Sequence, residues 1–418
     1  MPRFVTSARC EPALPFILIT VVIDLIGIGL IIPVLPVIVG EFTNSPDQQA
    51  YWYGALAASF GIAQFLSAPL LGALSDRYGR RPLLLLGIAG LGINFLVTAL
   101  ATSLWALLIA RLVGGSLSAN LAVANAYVAD ITAPEDRAKR FGALGAAFGV
   151  GFIIGPVIGG LLGQYSPRWP FFAAAGLCGL NWLYGLLILP ESLPRARRSP
   201  FKPARANPFS SLGKLFMLRG VGALVAVIAL TNLAQFILQT TWVLYTTFRF
   251  GWGPRENGIS LFVVGIVAAV TQGFLLGVLL KHAAPKNIAM AGLASGIVAF
   301  TLYGLATQSW MMYVIIFGNF LAFAANAALL SIVSSAADPA RQGVTMGALS
   351  SLSSLMIVVA PLLGAPLFAQ VTHLDHTDWR VGAPFFLSAL LQAGALFFAQ
   401  RHFAKRPVVA AAVTAPLV

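Results

Sequence analysis

Gly72-Ala73-Leu74-Ser75-Asp76-Arg77-Tyr78-Gly79-Arg80-Arg81-Pro82 is a short charged break between two long apolar runs, 51–74 and 82–101. Each run has the roughly 20 residues that a helix needs to cross a bilayer. The ionisable side chains Asp76, Arg77, Arg80 and Arg81, punctuated by Gly79 and Pro82, read as a tight loop at a membrane surface. The same pattern recurs along the chain. Breaks at charge clusters and Pro/Gly turns leave further apolar runs near 14–38, 104–129, 140–163, 170–190, 220–248, 255–280, 287–307, 310–336, 342–369 and 381–403. Twelve spans consume roughly 240 residues, which a 418-residue chain accommodates with short loops.

Composition agrees. Hydrophobic residues make up 58% and charged residues 9%, against about 25% charged in soluble domains. A soluble fold cannot cover its surface with so few charges. A cytosolic enzyme, a nucleic-acid binder and a disordered chain are excluded on that ground. The expected fold class is an all-α polytopic membrane protein with 12 transmembrane helices. The first run is too long for a cleaved signal peptide and is interrupted by Asp24. The cysteines, Cys10 and Cys178, sit in a terminal tail and an apolar run, so no disulfide framework is implied.

The net charge of +13 is a topology signal. An even number of spans puts both termini on one side. The loops there carry 21 of the 26 Lys and Arg, while Arg168, Arg249, Arg255 and Arg380 lie on the other side and Arg111 falls inside a span. The positive-inside rule then places both termini in the cytoplasm. Basic loops beside anionic lipid headgroups need no nucleic acid. The Arg-, Pro- and Ser-rich stretch 191–219 divides the chain. Residues 1–190 are expected to form an N-terminal six-helix bundle, 191–219 a cytoplasmic linker, and 220–418 a C-terminal six-helix bundle.

Sliding the chain on itself by 205 residues aligns Trp105 with Trp310, Pro134 with Pro339, Gly142-Ala143-Leu144 with Gly347-Ala348-Leu349, and Pro156 with Pro361. The halves read as a parallel repeat, the pattern of a transporter whose substrate site lies between two bundles near mid-membrane. Their charges have diverged: Asp76 and Arg77 align with Lys281 and His282, and Arg111 with Ile316.

Asp24 is the one carboxylate deep inside a span, roughly 14 Å from a start near Pro15 at 1.5 Å per residue. An intramembrane acid is costly and is a functional candidate by default. It either binds and releases a proton or is satisfied by a neighbouring helix. Arg111, the one intramembrane cation, lies about 10 Å in from the other side, at a similar depth. The two are expected to communicate across the cavity, directly or through water, as a proton-coupling pair; a purely structural pin is the alternative. A cavity needs a few polar groups in an apolar lining. Gln64, Asn94, Asn120, Asn232, Gln235, Gln239, Trp242, Gln272 and Asn326 are its candidates, and any single amide could instead join two helices. Neutral amides and aromatics suit an amphipathic organic molecule. His373, Asp375, His376 and Asp378 form an outside cluster read as a solvated loop, so no metal site is assigned. No nucleophile–base pair is visible, and the Gly-rich stretches lack a P-loop Lys-Ser/Thr, so neither an enzyme nor an ATP motor is expected.

The segment Gly72–Pro82 resembles the loop 2–3 signature of the major facilitator superfamily. Arg111-Leu112-Val113-Gly114-Gly115 is similar to its second motif. Gly149, Gly151, Gly155-Pro156 and Gly159-Gly160 resemble the motif shared by its drug–proton antiporters. Asp24-Leu25-Ile26-Gly27 with Pro33-Val34-Leu35-Pro36, and Trp242-Val243-Leu244 with Arg249-Phe250-Gly251-Trp252, resemble the tetracycline–proton antiporters in particular. The resemblance covers nearly the whole chain. It implies two parallel six-helix bundles of the major facilitator fold. It implies a conformational latch at Gly72, Asp76, Arg77, Gly79, Arg80 and Arg81, closing against the start of helix 11 around Arg341 to Gly343. It also implies an antiporter motif at Gly151, Gly155, Pro156 and Gly159. Asp130, with Glu135, Arg137 and Arg140, either extends the latch or is a solvated cluster. The chain departs from the tetracycline pattern at Asn94, Ala268 and Gly296, where the exporters carry an acid, a histidine and an acid.

The function expected is proton-coupled export of amphipathic drugs, tetracycline-like ones included, by alternating access. A transporter of a neutral small metabolite and a transport-inactive membrane sensor are the alternatives. No cofactor is expected beyond protons as the coupling ion. The partners expected are a small amphipathic substrate and membrane lipids, with the monomer as the working unit. The expected location is the bacterial inner membrane.

Overall fold

The computed structural model describes residues 13–118, 120–133, 136–200, 222–336 and 342–405. Among them are 12 helices long and apolar enough to cross a membrane. They are α1 (Leu14–Gly40), α2 (Pro46–Tyr78), α3 (Arg80–Leu100), α4 (Leu104–Ile131), α5 (Lys139–Gly163) and α6 (Trp169–Ile188). After the linker come α7 (Gly222–Phe250), α8 (Pro254–His282), α9 (Pro285–Leu305), α10 (Ser309–Val333), α11 (Leu349–Ala369) and α12 (Trp379–Ala404). The described residues contain no strand. The chain is an all-α multi-pass membrane protein.

Boundaries follow local chemistry. The second helix begins at Pro46 rather than near 51: Ser45 is extended, proline occupies the first turn, and Asp47 faces the positive end of the helix. The repeat is visible in the boundaries. Helix α3 runs Arg80–Leu100 and α9 runs Pro285–Leu305, an offset of 205 at both ends.

Several spans are not continuous. Residues 32–34 interrupt α1 beside Pro33. Helix α4 is split into Leu104–Leu117 and Asn120–Ile131. Its repeat partner α10 is split at Asn319, into Ser309–Gly318 and Phe320–Ala336. Backbone freed inside a membrane must find partners in protein. At the α4 break Gln64 Nε2 on α2 donates to Ser118 O at 3.2 Å and Ser118 Oγ at 3.3 Å, and Ser67 Oγ donates to Gly115 O at 3.4 Å.

The two halves meet along α2 against α11 and α5 against α8. Small residues allow the approach. A Cβ on Gly54 or Gly61 would strike Ala365 or Val358 of α11, and one on Gly160 or Gly163 would strike Pro254 of α8. These contacts run from the face opposite the linker to about mid-span. A Cβ on Gly72, Gly142, Gly145, Gly149, Gly273 or Gly277 meets no described atom within 4 Å. Among the described residues, the close glycine contacts between the halves are therefore confined to the face opposite the linker and the middle of the span.

Candidate functional site

Asp24 is buried in the first half, 6% exposed. Asn120 Nδ2 donates to its Oδ2 at 2.7 Å, and Asn181 Nδ2 donates to its Oδ1 at 3.2 Å. Asn181 Nδ2 also donates to Thr20 O at 3.2 Å. No cation comes within ion-pair distance of the carboxylate among the described residues. Glycine makes the room. Gly87 of α3 leaves the space that the Asn120 amide fills, and Gly151 of α5 sits on Leu25 and the Val22 carbonyl. Gly155 and Gly159 continue that approach against Gly29 and Leu30 of α1, with Pro156 beside Gly29.

Arg111 makes no ion pair with Asp24 among the described residues, so of the two contacts expected, direct or through water, the direct one is absent. Its guanidinium lies 5.8 Å from the Phe60 ring centroid and within electrostatic range of Tyr53, both on α2. Its Nε and Nη2 make no hydrogen bond within the protein. The reason is the break in α4: Arg111 belongs to one half of the helix and Asn120, the residue that reaches Asp24, to the other. Asn181 was missed from the sequence. The signal was available, since an amide in an apolar span is as costly there as anywhere else.

At the linker face Arg80 is a hub. Its Nη1 pairs with Asp76 Oδ1 at 2.6 Å and donates to Ser75 Oγ at 2.6 Å, while its Nε pairs with Asp130 Oδ2 at 3.0 Å. Its backbone N–H donates to Glu191 Oε1 at 2.8 Å. Glu191 thus occupies the positive N-terminus of α3, and Arg198 lies 3.9 Å from its other oxygen. Ser199 N–H donates to Asp76 O at 3.1 Å, so the start of the linker is tied to the signature loop. Gly79 has φ 112°, a region few L-residues adopt, and a Cβ there would meet Glu191. Arg81 donates to Leu186 O at 2.6 Å, and Arg77 stacks on Tyr78. Asp76 pairs within its own half. Arg341, the expected partner at the start of helix 11, lies outside the described residues, as does Glu135. Nothing described lies beside Gly72.

The expected cavity residues divide into four groups. Gln235, Gln239, Gln272 and Asn326 are exposed. Gln64, Asn120 and Asn232 spend their amides on other helices, Asn232 through Ser353 Oγ at 2.9 Å. Asn94 is buried against Gly114 with both amide atoms unpartnered. Trp242 is a correction: its ring is buried rather than turned to an open cleft. It packs in the core of the second half, edge-on to Tyr303, and its Nε1 donates to Ser260 Oγ at 3.0 Å. A large apolar ring with one donor looks the same in sequence whether it lines a cleft or fills a core. At Gly296 the Gln392 amide fills the space where a side chain would begin.

A cleft of about 580 Å³ opens at the face opposite the linker, lined by Phe248, Arg249, Thr307, Gln308, His376 and Thr377 among others. It lies away from the amides. Arg249 is buried there and donates to three carbonyls: Ala306 O at 3.1 Å, His376 O at 2.7 Å and Asp378 O at 2.5 Å. The outside carboxylates are each engaged. Asp375 accepts from Thr377 Oγ1 at 2.6 Å. Asp378 pairs with Arg380, whose hydrogen bonds hold its carboxyl down to about 2.

A family model described as the Major Facilitator Superfamily matches residues 17–361. The class C tetracycline resistance protein of Escherichia coli is 40% identical over 91% of this chain and 96% of its own length. The class G protein of Vibrio anguillarum is 37% identical over 89% and 95%. The structure of the human organic anion transporter MFSD10 superimposes with a TM-score of 0.68 at 24% identity, over 94% of this chain and all of the other. A bacterial homologue of the lysosomal transporter Spinster gives 0.75 at 16% identity, over 95% and 98%.

Proposed function

This chain belongs to the Major Facilitator Superfamily, and from that premise we propose that it exports an amphipathic, tetracycline-like drug in exchange for protons by alternating access. The observation that carries the reading is Asp24: a buried acid in a membrane span, held by two amides and no cation. An acid so placed exchanges one proton without a counter-ion that would fix its charge. The linker face, which the distribution of Lys and Arg assigns to the cytoplasm, lacks close glycine contacts between the halves among the described residues, and in this reading it is the open one. A drug enters there, between the exposed amides of α7, α8 and α10, while Asp24 gives up its proton. Closure at that face and parting at the other releases the drug and lets a proton return. Arg80, with Asp76 and Asp130, steadies the linker face.

The same reading makes the protein a transporter rather than an enzyme. It places the protein in a bacterial inner membrane with both termini in the cytoplasm, working as a monomer on a small amphipathic substrate with the proton as sole coupling ion. Asn94, Ala268 and Gly296 stand where the tetracycline pattern has two acids and a histidine. A substrate range shifted toward neutral amphipathic drugs is the expectation.

The test is uptake into inverted vesicles under an imposed pH gradient, across a drug panel. Wild type should accumulate tetracycline or a related drug, and Asp24→Asn should lose gradient-driven accumulation. If Asp24→Asn matches wild type, Asp24 is not the coupling site. If no drug responds to the gradient, proton antiport is wrong.

A further inference from the structure

The cage around Asp24 holds more acceptors than it uses. Thr20 Oγ1, Asn120 Oδ1 and Asn181 Oδ1 are all buried and none has a hydrogen-bond partner. Buried polar atoms are normally paired, so three orphaned oxygens around one carboxylate call for an explanation. Both amides donate to Asp24, which suits the ionised acid. A protonated acid has an O–H to donate and needs an acceptor. A half-turn of one amide exchanges its Nδ2 and Oδ1 and supplies that acceptor. Asn181 is fastened by its second bond, to Thr20 O. Asn120 has no such tether. It is the amide free to turn, and the space above Gly87 that now holds its Oδ1 would receive its Nδ2.

Asn120 is also the first residue of a separate helical piece, Asn120–Ile131, beyond the break in α4. That piece is roughly 18 Å long at 1.5 Å per residue. Near its other end stands Asp130, paired with Arg80 Nε at 3.0 Å and accepting from Ser192 Oγ at 3.3 Å. Tyr127 on the same piece donates to Pro190 O at 2.8 Å. One short helix therefore joins the proton site to the signature loop, and the break frees it from the half that carries Arg111. The groups facing Asp24 are few. Cys178 on α6 is the titratable one. Helix α3 presents Phe95 to neighbouring Gly27, α5 presents Gly151 to Leu25, and Arg111 is turned to α2.

We propose that Asn120–Ile131 is a transmission rod: Asn120 reads whether Asp24 carries a proton by turning its amide, and the rod passes that change to Arg80 through Asp130. On protonation the Asn120 N–H bond to Asp24 breaks and the new carboxyl O–H donates to Asn120 Oδ1; deprotonation reverses both. The inference rests on the reading of Asp24 as the coupling acid. Asn120 is on this account a positioning residue, acting through its neighbours and not on the drug.

The test is a distance measurement between spin labels at the linker ends of α5 and α8, Lys139→Cys and His282→Cys, in a chain carrying Cys10→Ser; both labelled positions are exposed and Cys178 is buried. In wild type the distance should change with pH. Asp24→Asn should abolish the change. Asn120→Ala and Asn120→Leu should abolish it too, while the variants keep a monodisperse elution profile and a cooperative thermal transition in detergent, which a misfolded variant would not show. Asp130→Asn, which cuts the other end of the rod, should also abolish it. Asn181→Ala should shift the midpoint of the response and keep its amplitude. If the Asn120 variants keep the wild-type response while Asp24→Asn loses it, the rod is wrong and the coupling acid stands. The rod is equally wrong if Asp130→Asn, at the end remote from Asp24, keeps the wild-type response. If Asp24→Asn keeps the response, the coupling reading falls and the rod with it.

Discussion

At the scale of single residues, Gly79 shows how one position serves two demands. Its backbone lies in a region essentially closed to other residues, and the space beside it belongs to Glu191. Gly79→Ala should cost about 1–3 kcal/mol, read as a lower thermal midpoint in detergent. Adding Glu191→Ala should remove the clash and leave the backbone cost. Some of the site was legible at this scale. Asp24 and Arg111 stand out because a charge in an apolar span is conspicuous without any structure. The pairing was not legible, because depth along a helix gives no angle around it. Trp242 failed for a related reason: its surroundings are set by Tyr303 and Ser260, neither of which its own neighbours in sequence announce.

At the scale of elements, the spans were readable and their interruptions were not. Apolar length and charged breaks locate all twelve helices, since lipid enforces that pattern everywhere. The break in α4 carries no proline. It persists because Gln64 and Ser67 on α2 accept the work of satisfying its carbonyls, and such a partnership is invisible along one strand of sequence. The glycine contacts between α5 and α8 give a prediction at the same scale. Gly258 lies on the Pro156 carbonyl and Gly160. Gly258→Leu should wedge α5 from α8, destabilising the form closed at that face by about 1–3 kcal/mol, the usual cost of overpacking. Labels at Lys139→Cys and His282→Cys should then move closer together, because parting one face closes the other. An unchanged distance would show that the two faces are not linked through this contact.

At the scale of the whole molecule, the repeat dictates geometry more strictly than chemistry. Ala101 and Ala306 stand 205 residues apart and end the equivalent helices α3 and α9. Each offers its carbonyl to an arginine. Arg168, in the loop after α5, serves Ala101 at 3.1 Å, and Arg249, from α7, serves Ala306 at 3.1 Å. The two halves thus close the same position with side chains from unrelated places. Arg249 is buried and holds three carbonyls, whereas Arg168 is part-exposed and also pairs with Glu41 at 3.0 Å. Leaving buried acceptors unpaired costs about 1–3 kcal/mol each. Arg249→Ala should therefore lower the thermal midpoint of the protein further than Arg168→Ala does.

Arg111 is buried against α2 of its own half, and two of its nitrogens make no hydrogen bond within the protein. A charge held that way costs free energy that the surrounding packing has to offset. Fold stability and the retention of Arg111 therefore pull in opposite directions. Arg111→Met, which keeps most of the volume and removes the charge, should raise the thermal midpoint in detergent, and an unchanged or lower midpoint would show that the guanidinium is satisfied where it stands.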